Sequence, residues 1–181
     1  GPMTRSVKGA ALFLNALAGF DPLDSKTRDV PVPDYTADIG RGIKGSRIIL
    51  CPDFYSNTEV DGEIAQAFVR AIDVFRDLGA NVETVSFPDA GRFGELFQSI
   101  AGPEFAEFHR PFYEKNPDGY GADVRERYEW SAEIPLDDYV RAMRERVLLR
   151  REAAEFLKGV DAMIMPSIPC AAPPIENLMA E

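Results

Sequence analysis

Cysteine and histidine are scarce in this chain. Its 181 residues include two cysteines, Cys51 and Cys170, and one histidine, His109. The cysteines form no CxxC pair or other metal-ligand spacing, so the sequence predicts neither a disulfide framework nor a zinc site, and we expect no metal and no other cofactor. A catalytic histidine needs an orienting partner, which the sequence does not indicate for His109. We expect His109 to be a surface or half-buried residue of a helix.

Positive charge and long apolar runs are also lacking. The 20 Lys and Arg residues stand against 30 Asp and Glu residues, which gives a formal net charge of -10. Such a chain repels polyphosphates and is a poor candidate for a nucleic-acid-binding protein. No run approaches the ~20 apolar residues of a membrane-spanning helix, and the N-terminus shows no secretory signal pattern. We therefore expect a cytoplasmic protein without nucleic-acid or membrane partners.

The apolar residues that are present follow helix and strand periods. A helix is predicted from the N-cap Ser6 to about Gly19, followed by a proline-containing connector from Asp21 to Gly45. Further predicted elements are a strand at 47–51, a helix at 61–79, a strand at 82–87, helical pieces at 91–117 interrupted at Gly102-Pro103, a long helix from Pro135 to Gly159 and a strand at 162–165. Residues 118–133 receive no assignment.

Strand, helix and strand in this order predict a βαβ unit and an α/β fold. Three buried-type strands flanked by helices make only a partial sheet, whose open edges need cover from other polypeptide. The chain is therefore expected to be an incomplete domain. On the long helix, one apolar stripe is predicted to be buried, with arginines on the opposite side. Its members are Leu136, Tyr139, Val140, Met143, Val147, Ala154 and Leu157.

Several segments of the chain occur, in the same order, in one known family of enzymes. The opening Gly-Pro-Met-Thr-Arg-Ser-Val at 1–7 is similar to the segment that follows the glycine- and serine-rich catalytic core of that family. Ala-Gly-Phe-Asp-Pro-Leu-Asp at 18–24 and Asp-Ala-Met-Ile-Met-Pro-Ser at 161–167 also match, as do shorter segments at 44–48 and 78–82. The order and spacing of these matches identify the chain as resembling the middle-to-late portion of an amidase-signature enzyme, with part of a mixed sheet flanked by helices.

The chain departs from the family pattern at a few positions. Gly9 stands where an acidic residue is usual, Ser46 where leucine is preferred, and Cys51 precedes Pro52-Asp53 where Pro-x-Asp is more usual. These positions lie in a helix, before a strand and at a strand end. The departures therefore concern the subfamily more than the fold.

The resemblance implies hydrolysis of a carboxylic amide to an acid plus ammonia or an amine through a serine acyl-enzyme. The family uses a Ser, cis-Ser, Lys triad, in which an unprotonated lysine accepts the proton of the nucleophile through the bridging serine. Such a lysine needs a depressed pKa, and the cis peptide needs a well-packed Gly/Ser-rich loop. The serines and lysines of this chain are scattered, and no such loop is present. We expect no catalytic residue here: residues 1–181 are interpreted as a single partial domain that lacks the N-terminal catalytic core and is inert alone.

Three residues are candidates for substrate binding. Arg146 falls where some glutamine-using relatives place an arginine that binds the substrate carboxylate. Pro166 and Ser167 follow a predicted strand, the usual position for ligand contacts in an α/β sheet. Alternatives stay open for all three. Arg146 also fits a solvated face that it forms with Arg141, Arg144, Arg150 and Arg151, paired with Glu145 and Glu152. The Pro166-Ser167 loop also fits a turn fixed by prolines.

Tyr113, Tyr120 and Tyr128 are aromatic candidates for a wall of the same pocket. Ordinary packing is the alternative for each of them.

The sequence leaves three functions open. The first is part of an amide hydrolase that acts on a small-molecule amide once an N-terminal part complements it. The second is a non-catalytic truncated relative that serves as a binding or scaffold module. The third is part of the amide-transferring A component of a tRNA-dependent amidotransferase, which requires partner subunits. The open sheet edges also predict a homodimer or a complementing N-terminal part as partner.

Overall fold

The computed structural model describes residues 1–56, 58–87 and 89–175. These residues form two compact units, Gly1–Lys44 and Gly45–Glu181.

The first unit contains one helix, α1 (Val7–Leu17). The Ser6 hydroxyl accepts the backbone N–H of Gly9 at 3.0 Å, so the predicted N-cap is confirmed. The connector that follows is ordered by side-chain hydrogen bonds: the Asn15 amide donates to Asp34 at 2.9 Å and accepts the backbone N–H of Tyr35 at 2.8 Å. Residues 1–44, all of which are described, contain no other helix or strand.

The second unit is built on a sheet of three strands, β1 (Arg47–Leu50), β2 (Asn81–Thr84) and β3 (Ala162–Ile164). Their order is β2-β1-β3, and both pairings are parallel. The predicted α/β fold is confirmed. The sheet was expected to be mixed, but its three described strands are all parallel. Helices carry the chain back to the same end of the sheet before β2 and before β3, so each strand runs in the same direction.

Helices form every connection between the strands. Helix α2 (Gly62–Asp77) links β1 to β2. Between β2 and β3 the chain forms α3 (Arg92–Tyr113), α4 (Ala122–Ala132) and α5 (Leu136–Phe156). Helix α4 occupies the stretch that received no assignment from sequence.

The predicted interruption of helix α3 at Gly102-Pro103 is wrong. The helix continues through both Pro103 and Pro111. A proline inside a helix removes one backbone hydrogen bond and costs about 3 kcal/mol. Packing of α3 on both α4 and α5 offsets this cost, which the local sequence does not reveal.

The predicted buried stripe of α5 is also wrong in part. Leu136 is 73% exposed and Val147 is 50% exposed, whereas the buried residues of the helix are Ala142 and Leu149. These two lie seven residues apart and pack in the core with Leu96 of α3. The face of α5 that meets α3 is therefore less apolar than the stripe that the sequence singles out.

Strand β1 is the centre of the second unit. Ile48 and Ile49 are 3% and 1% exposed, and β2 and β3 flank the strand on its two sides. At the amino end of the sheet, the Asp161 carboxylate accepts the backbone N–H of Arg47 at 2.8 Å, and the backbone N–H of Asp161 donates to the Arg47 carbonyl at 2.9 Å. This pair fixes where β3 begins against β1.

Candidate functional site

The carboxyl ends of the three parallel strands meet at one edge of the sheet. Residues 51–56 follow β1, residues 85–87 follow β2 and residues 165–169 follow β3. The backbone N–H of Asp61, which precedes α2, donates to the carbonyl of Pro169 at 2.8 Å and so ties the third segment to the start of α2. Ligands of open α/β sheets bind at this edge, which makes it the candidate site.

Asp53 joins two of these segments. Its carboxylate accepts the backbone N–H of Phe87 at 2.9 Å and lies 3.6 Å from the thiol sulfur of Cys51. The hydrogen bond from Phe87, followed by one from the Ser86 hydroxyl, holds the pKa of Asp53 below its ordinary value. Asp53 is therefore a negative charge at the carboxyl edge that also sets the spacing between the ends of β1 and β2.

Cys51 lies directly behind this carboxylate. It is 0% exposed, and its burial raises the pKa of the thiol, an effect to which the adjacent Asp53 adds. A thiolate is the reactive form of cysteine, and this environment disfavours it. Cys51 is thus a packing residue and a weak donor to Asp53.

An aromatic cluster packs against the segments that follow β1 and β2. The ring of Phe54 lies 5.3 Å from that of Phe93 and 5.8 Å from that of Phe87, and Phe87 meets Phe156 of α5 edge-on at 4.9 Å. Such tilted and edge-on contacts hold the loops after β1 and β2 in fixed positions. The candidate site therefore has a rigid apolar base.

Tyr55 stands at the side of this base. Its ring meets Phe68 of α2 edge-on at 6.2 Å. Burial raises the pKa of the Tyr55 hydroxyl. The group is accordingly a neutral hydrogen-bonding partner rather than a phenolate.

The predicted substrate-binding residues are placed as follows. Pro166 is half-buried and Ser167 is exposed, and both follow β3 at the carboxyl edge. Arg146 is exposed on α5, where its guanidinium lies 3.8 Å from the sulfur of Met143. The recorded contacts do not join Arg146 to the Pro166-Ser167 loop, and substrate binding by these residues stays a prediction.

The alternative interpretation of the α5 arginines named the wrong ion-pair partners. Glu145 and Glu152 pair with Arg92 of α3, at 3.2 and 3.0 Å, instead of with arginines of their own helix. The α5 arginines Arg144, Arg146, Arg150 and Arg151 are exposed, as a solvated face requires. The two glutamates lie instead on the face of α5 that meets α3.

The tyrosine candidates pack between helices. The rings of Tyr113 on α3 and Tyr128 on α4 stack at 3.9 Å, and the Tyr113 hydroxyl donates to Glu129 at 2.7 Å. That hydrogen bond, with some burial, raises the pKa of Tyr113. The Tyr120 hydroxyl lies 3.0 Å from Nδ1 of His109, which is half-buried on α3 as expected. These contacts favour the packing alternative for the tyrosines.

The lysines of the chain lie at the surface. Lys8, Lys26, Lys44, Lys115 and Lys158 are all exposed. Among the described residues, Nζ of Lys158 donates to the Glu155 carboxylate at 3.3 Å. A lysine that acts as a base is normally buried.

Within 1–56, 58–87 and 89–175, His, Cys, Asp and Glu side chains form no group of three or more that could hold a metal ion. None of the helices in those ranges combines the length and apolar content needed to cross a bilayer.

The sequence did not single out Asp53 as a functional residue. The signal was available: an aspartate two residues after a buried parallel strand stands at the edge where ligands bind. The partner of Asp53, the backbone N–H of Phe87, is 34 residues away along the chain and carries no sequence signature.

Comparison with known proteins agrees with the sheet and helices described above. A family model described as Amidase matches residues 1–181. An amidase of Pseudomonas putida is 38% identical over 172 residues, which are 95% of this chain and 37% of the relative. The glutamyl-tRNA(Gln) amidotransferase A component of Trichlorobacter lovleyi is 34% identical over 196 residues, covering 95% of this chain and 40% of the relative.

A solved structure gives the same result. The crystal structure of an amidase superposes with a TM-score of 0.75 at 30% identity, covering 97% of this chain and 36% of that one. The chain thus spans about two fifths of the length of the curated relatives it matches. A match over all 181 residues, supported by collinear relatives and by a shared fold, shows that the chain belongs to the amidase-signature family.

Proposed function

We propose that this chain is part of an amidase that hydrolyses a carboxylic amide to an acid plus ammonia or an amine through a serine acyl-enzyme. The observation that carries the proposal is the family match over residues 1–181, together with the 38% identical amidase of Pseudomonas putida. In this proposal residues 1–181 belong to a single amidase domain, and the catalytic serines and lysine come from polypeptide outside them. The exposed lysines support this division of labour, because a lysine that acts as a base is normally buried.

The contribution of this chain is one wall of the substrate site. Asp53 and the aromatic cluster of Phe54, Phe87 and Phe93 hold the carboxyl edge of the sheet in one shape. A fixed surface of this kind positions an amide against a nucleophile supplied from elsewhere, which lowers the barrier by orientation. Pro166 and Ser167 stand at that edge, with the exposed Ser167 hydroxyl available to a ligand.

A chimera tests this proposal. The 172 matched residues of the Pseudomonas putida amidase are replaced by the corresponding residues of this chain, and ammonia release is measured on a panel of aliphatic and aromatic amides. We expect the chimera to turn over amides and the isolated 181-residue chain to show no turnover. Serine-dependent hydrolysis by the isolated chain, or a folded but inactive chimera, contradicts the proposal.

Arg146 is proposed to bind the carboxylate of those substrates that have one. In an active chimera, Arg146→Ala should raise KM about tenfold for amides that carry a carboxylate and leave KM for neutral amides unchanged. Arg150→Ala is the matched control, since Arg150 is also an exposed arginine of α5. Equal effects of the two substitutions would show that the face is merely solvated.

Ser167 is tested in the same chimera. A hydroxyl that donates to or accepts from the bound amide contributes about 1 kcal/mol, so Ser167→Ala should lower kcat/KM several-fold. Ser25→Ala, in the exposed connector after α1, is the control and should have no effect. An unchanged kcat/KM for Ser167→Ala assigns the loop to packing instead.

A second function is that of the amide-transferring component of a tRNA-dependent amidotransferase. The amidotransferase component of Trichlorobacter lovleyi, 34% identical over 196 residues, favours it. That function predicts stable association with partner subunits when the gene is expressed with its neighbours. Isolation of a stoichiometric complex supports it, and a chain that purifies without partners while its chimera hydrolyses free amides argues for the hydrolase.

A further inference from the structure

Helix α3 changes its packing partner halfway along its length. Its first half packs on α5 and the core: the guanidinium of Arg92 bridges Glu145 and Glu152, and Leu96 packs with Leu149. These contacts tie the first half of the helix to the sheet.

The second half of α3 makes its contacts with α4 and the turn that precedes α4. His109 contacts the Tyr120 hydroxyl at 3.0 Å, and Tyr113 donates to Glu129 at 2.7 Å. The main packing partner of α4 is in turn α3. Residues 102–132 therefore form a helical hairpin that is held together by its own contacts.

The change of partner falls at Gly102-Pro103. Pro103 has no N–H and cannot donate the helical hydrogen bond to the carbonyl of Ser99. Gly102 has no side chain and restricts the backbone least of all residues. A helix bends most easily where one rung of its hydrogen-bond ladder is missing. This is the first connection between the helical hairpin and the rest of the second unit.

The second connection is the turn between α4 and α5, which contains Ile134 and Pro135. It touches the first connection directly, because a Cβ added to Gly102 would lie 2.5 Å from Cδ1 of Ile134. The same Cβ would lie 3.6 Å from the Ser131 hydroxyl. Both connections of the helical hairpin thus pass through one small region, as the two connections of a hinged domain do.

Ser131 lies in the same region. It is 1% exposed, and among the described residues its hydroxyl has no hydrogen-bond partner. No hydrogen bond from this side chain to the described residues therefore ties α4 to α3 at the pivot.

We propose that the helical hairpin rotates as one body about a hinge formed by Gly102-Pro103 and Ile134-Pro135. A cavity of about 290 Å³ between α3 and α5 lies at its base and is lined by residues that adjoin both connections, Ser99 before the first and Asp138 after the second. The residues that line this cavity belong to the first half of α3 and to α5, the part of the second unit on which the hairpin is mounted. The hinge is independent of whether the chain takes part in amide hydrolysis.

Distances between spin labels test the hinge in the 181-residue chain. One label is attached through Glu126→Cys on α4 and the other through Arg144→Cys on α5, since both positions are exposed. Cys170, which is exposed, is changed to Ser, and Cys51, which is buried, stays in place. A pair within the hairpin, Glu104→Cys with Glu126→Cys, is the reference for a rigid distance.

We expect a broad distribution for the α4–α5 pair and a narrow one for the pair within the hairpin. Pro103→Ala restores the donor to the Ser99 carbonyl and should narrow the α4–α5 distribution roughly twofold. Pro111→Ala is the matched control, because Pro111 is the other proline inside α3 but lies within the hairpin. It should leave both distributions unchanged.

A second pair of variants tests the contact at the pivot. Gly102→Ala should shift the mean α4–α5 distance only slightly, because the new Cβ meets Cδ1, the free end of the Ile134 side chain, which can turn away. Adding Ile134→Ala to it should remove that small shift. The hinge is disproved if the wild-type α4–α5 pair is as narrow as the pair within the hairpin, or if Pro103→Ala and Pro111→Ala act alike.

Discussion

Strand β1 and helix α1 are both strongly apolar, yet the structure buries only one of them. Ile48 and Ile49 of β1 are 3% and 1% exposed, whereas Val7 and Leu17 of α1 are 79% and 66% exposed. Strand β1 has a parallel strand on each side. Residues 1–44 offer α1 no second helix or strand within its own unit.

The difference shows that an apolar pattern predicts a need for burial and not the partner that satisfies it. A helix that is apolar around most of its circumference is typical of an element covered on several sides. Leu12 and Phe13, on neighbouring faces of α1, are both 54% exposed. Large exposed apolar surfaces are in general places where other polypeptide or a ligand makes contact. We expect strand β1 and helix α1 to differ in stability as they differ in exposure.

The largest expected contrast is in thiol reactivity. Cys51, at the end of β1, is buried and its thiol pKa is raised by that burial, whereas Cys170 is exposed. A buried thiol reacts only when the structure opens, so Cys51 should react with a soluble disulfide reagent about a thousandfold or more slowly than Cys170. Timed labelling with mass spectrometry measures both rates. Equal rates in the native protein contradict the buried position of β1, and labelling in denaturant supplies the control.

The next contrast is in the free energy of unfolding. Ile49→Ala removes a fully buried side chain from the central strand and should destabilise the protein by about 3 kcal/mol. Leu17→Ala, on the exposed part of α1, should change the free energy of unfolding by less than about 0.5 kcal/mol. Urea denaturation followed by circular dichroism measures both. If Leu17→Ala is as damaging as Ile49→Ala, α1 is covered in solution.

The same contrast explains which parts of the fold could be predicted from sequence. The positions of β1 and α2 were predicted because a buried strand and a helix with one apolar stripe leave strong local signals. The continuity of α3 through Pro103 could not be predicted, since packing on α4 and α5 outweighs a local penalty. The buried face of α5 was missed because its apolar stripe and the face that meets α3 are different sides of the helix.

The candidate site was predicted only as far as single segments allow. The loop with Pro166 and Ser167 was placed correctly after a strand, because Pro residues end a strand visibly. The bond from the Phe87 backbone to Asp53 joins the ends of two strands and depends on tertiary structure alone. A backbone donor has no residue identity, so no sequence pattern could indicate it.

The smallest contrast is in the response to acid. One carboxylate with a lowered pKa in each unit, Asp53 and Asp34, serves for the comparison. Hydrogen bonds lower the pKa of Asp53, from Phe87 first and then Ser86, and that of Asp34 in the first unit, from Thr36 first and then Asn15. A lowered folded-state pKa means that each group stabilises the fold fully above its unfolded value, about pH 4, and loses this contribution as the pH falls through the folded value.

Asp53→Asn should therefore flatten the loss of unfolding free energy below about pH 4, because the amide no longer gains a proton on unfolding. Asp34→Asn should instead affect the acid response of residues 1–44, read from the NMR signals of the connector, while leaving β1 unchanged. Asp29→Asn, an exposed aspartate of the same connector, is the control for the change in net charge. Identical acid profiles for Asp53→Asn and Asp29→Asn would mean that the carboxylate between β1 and β2 adds no stability, and the spacing of the two strand ends would then depend on the phenylalanine rings alone.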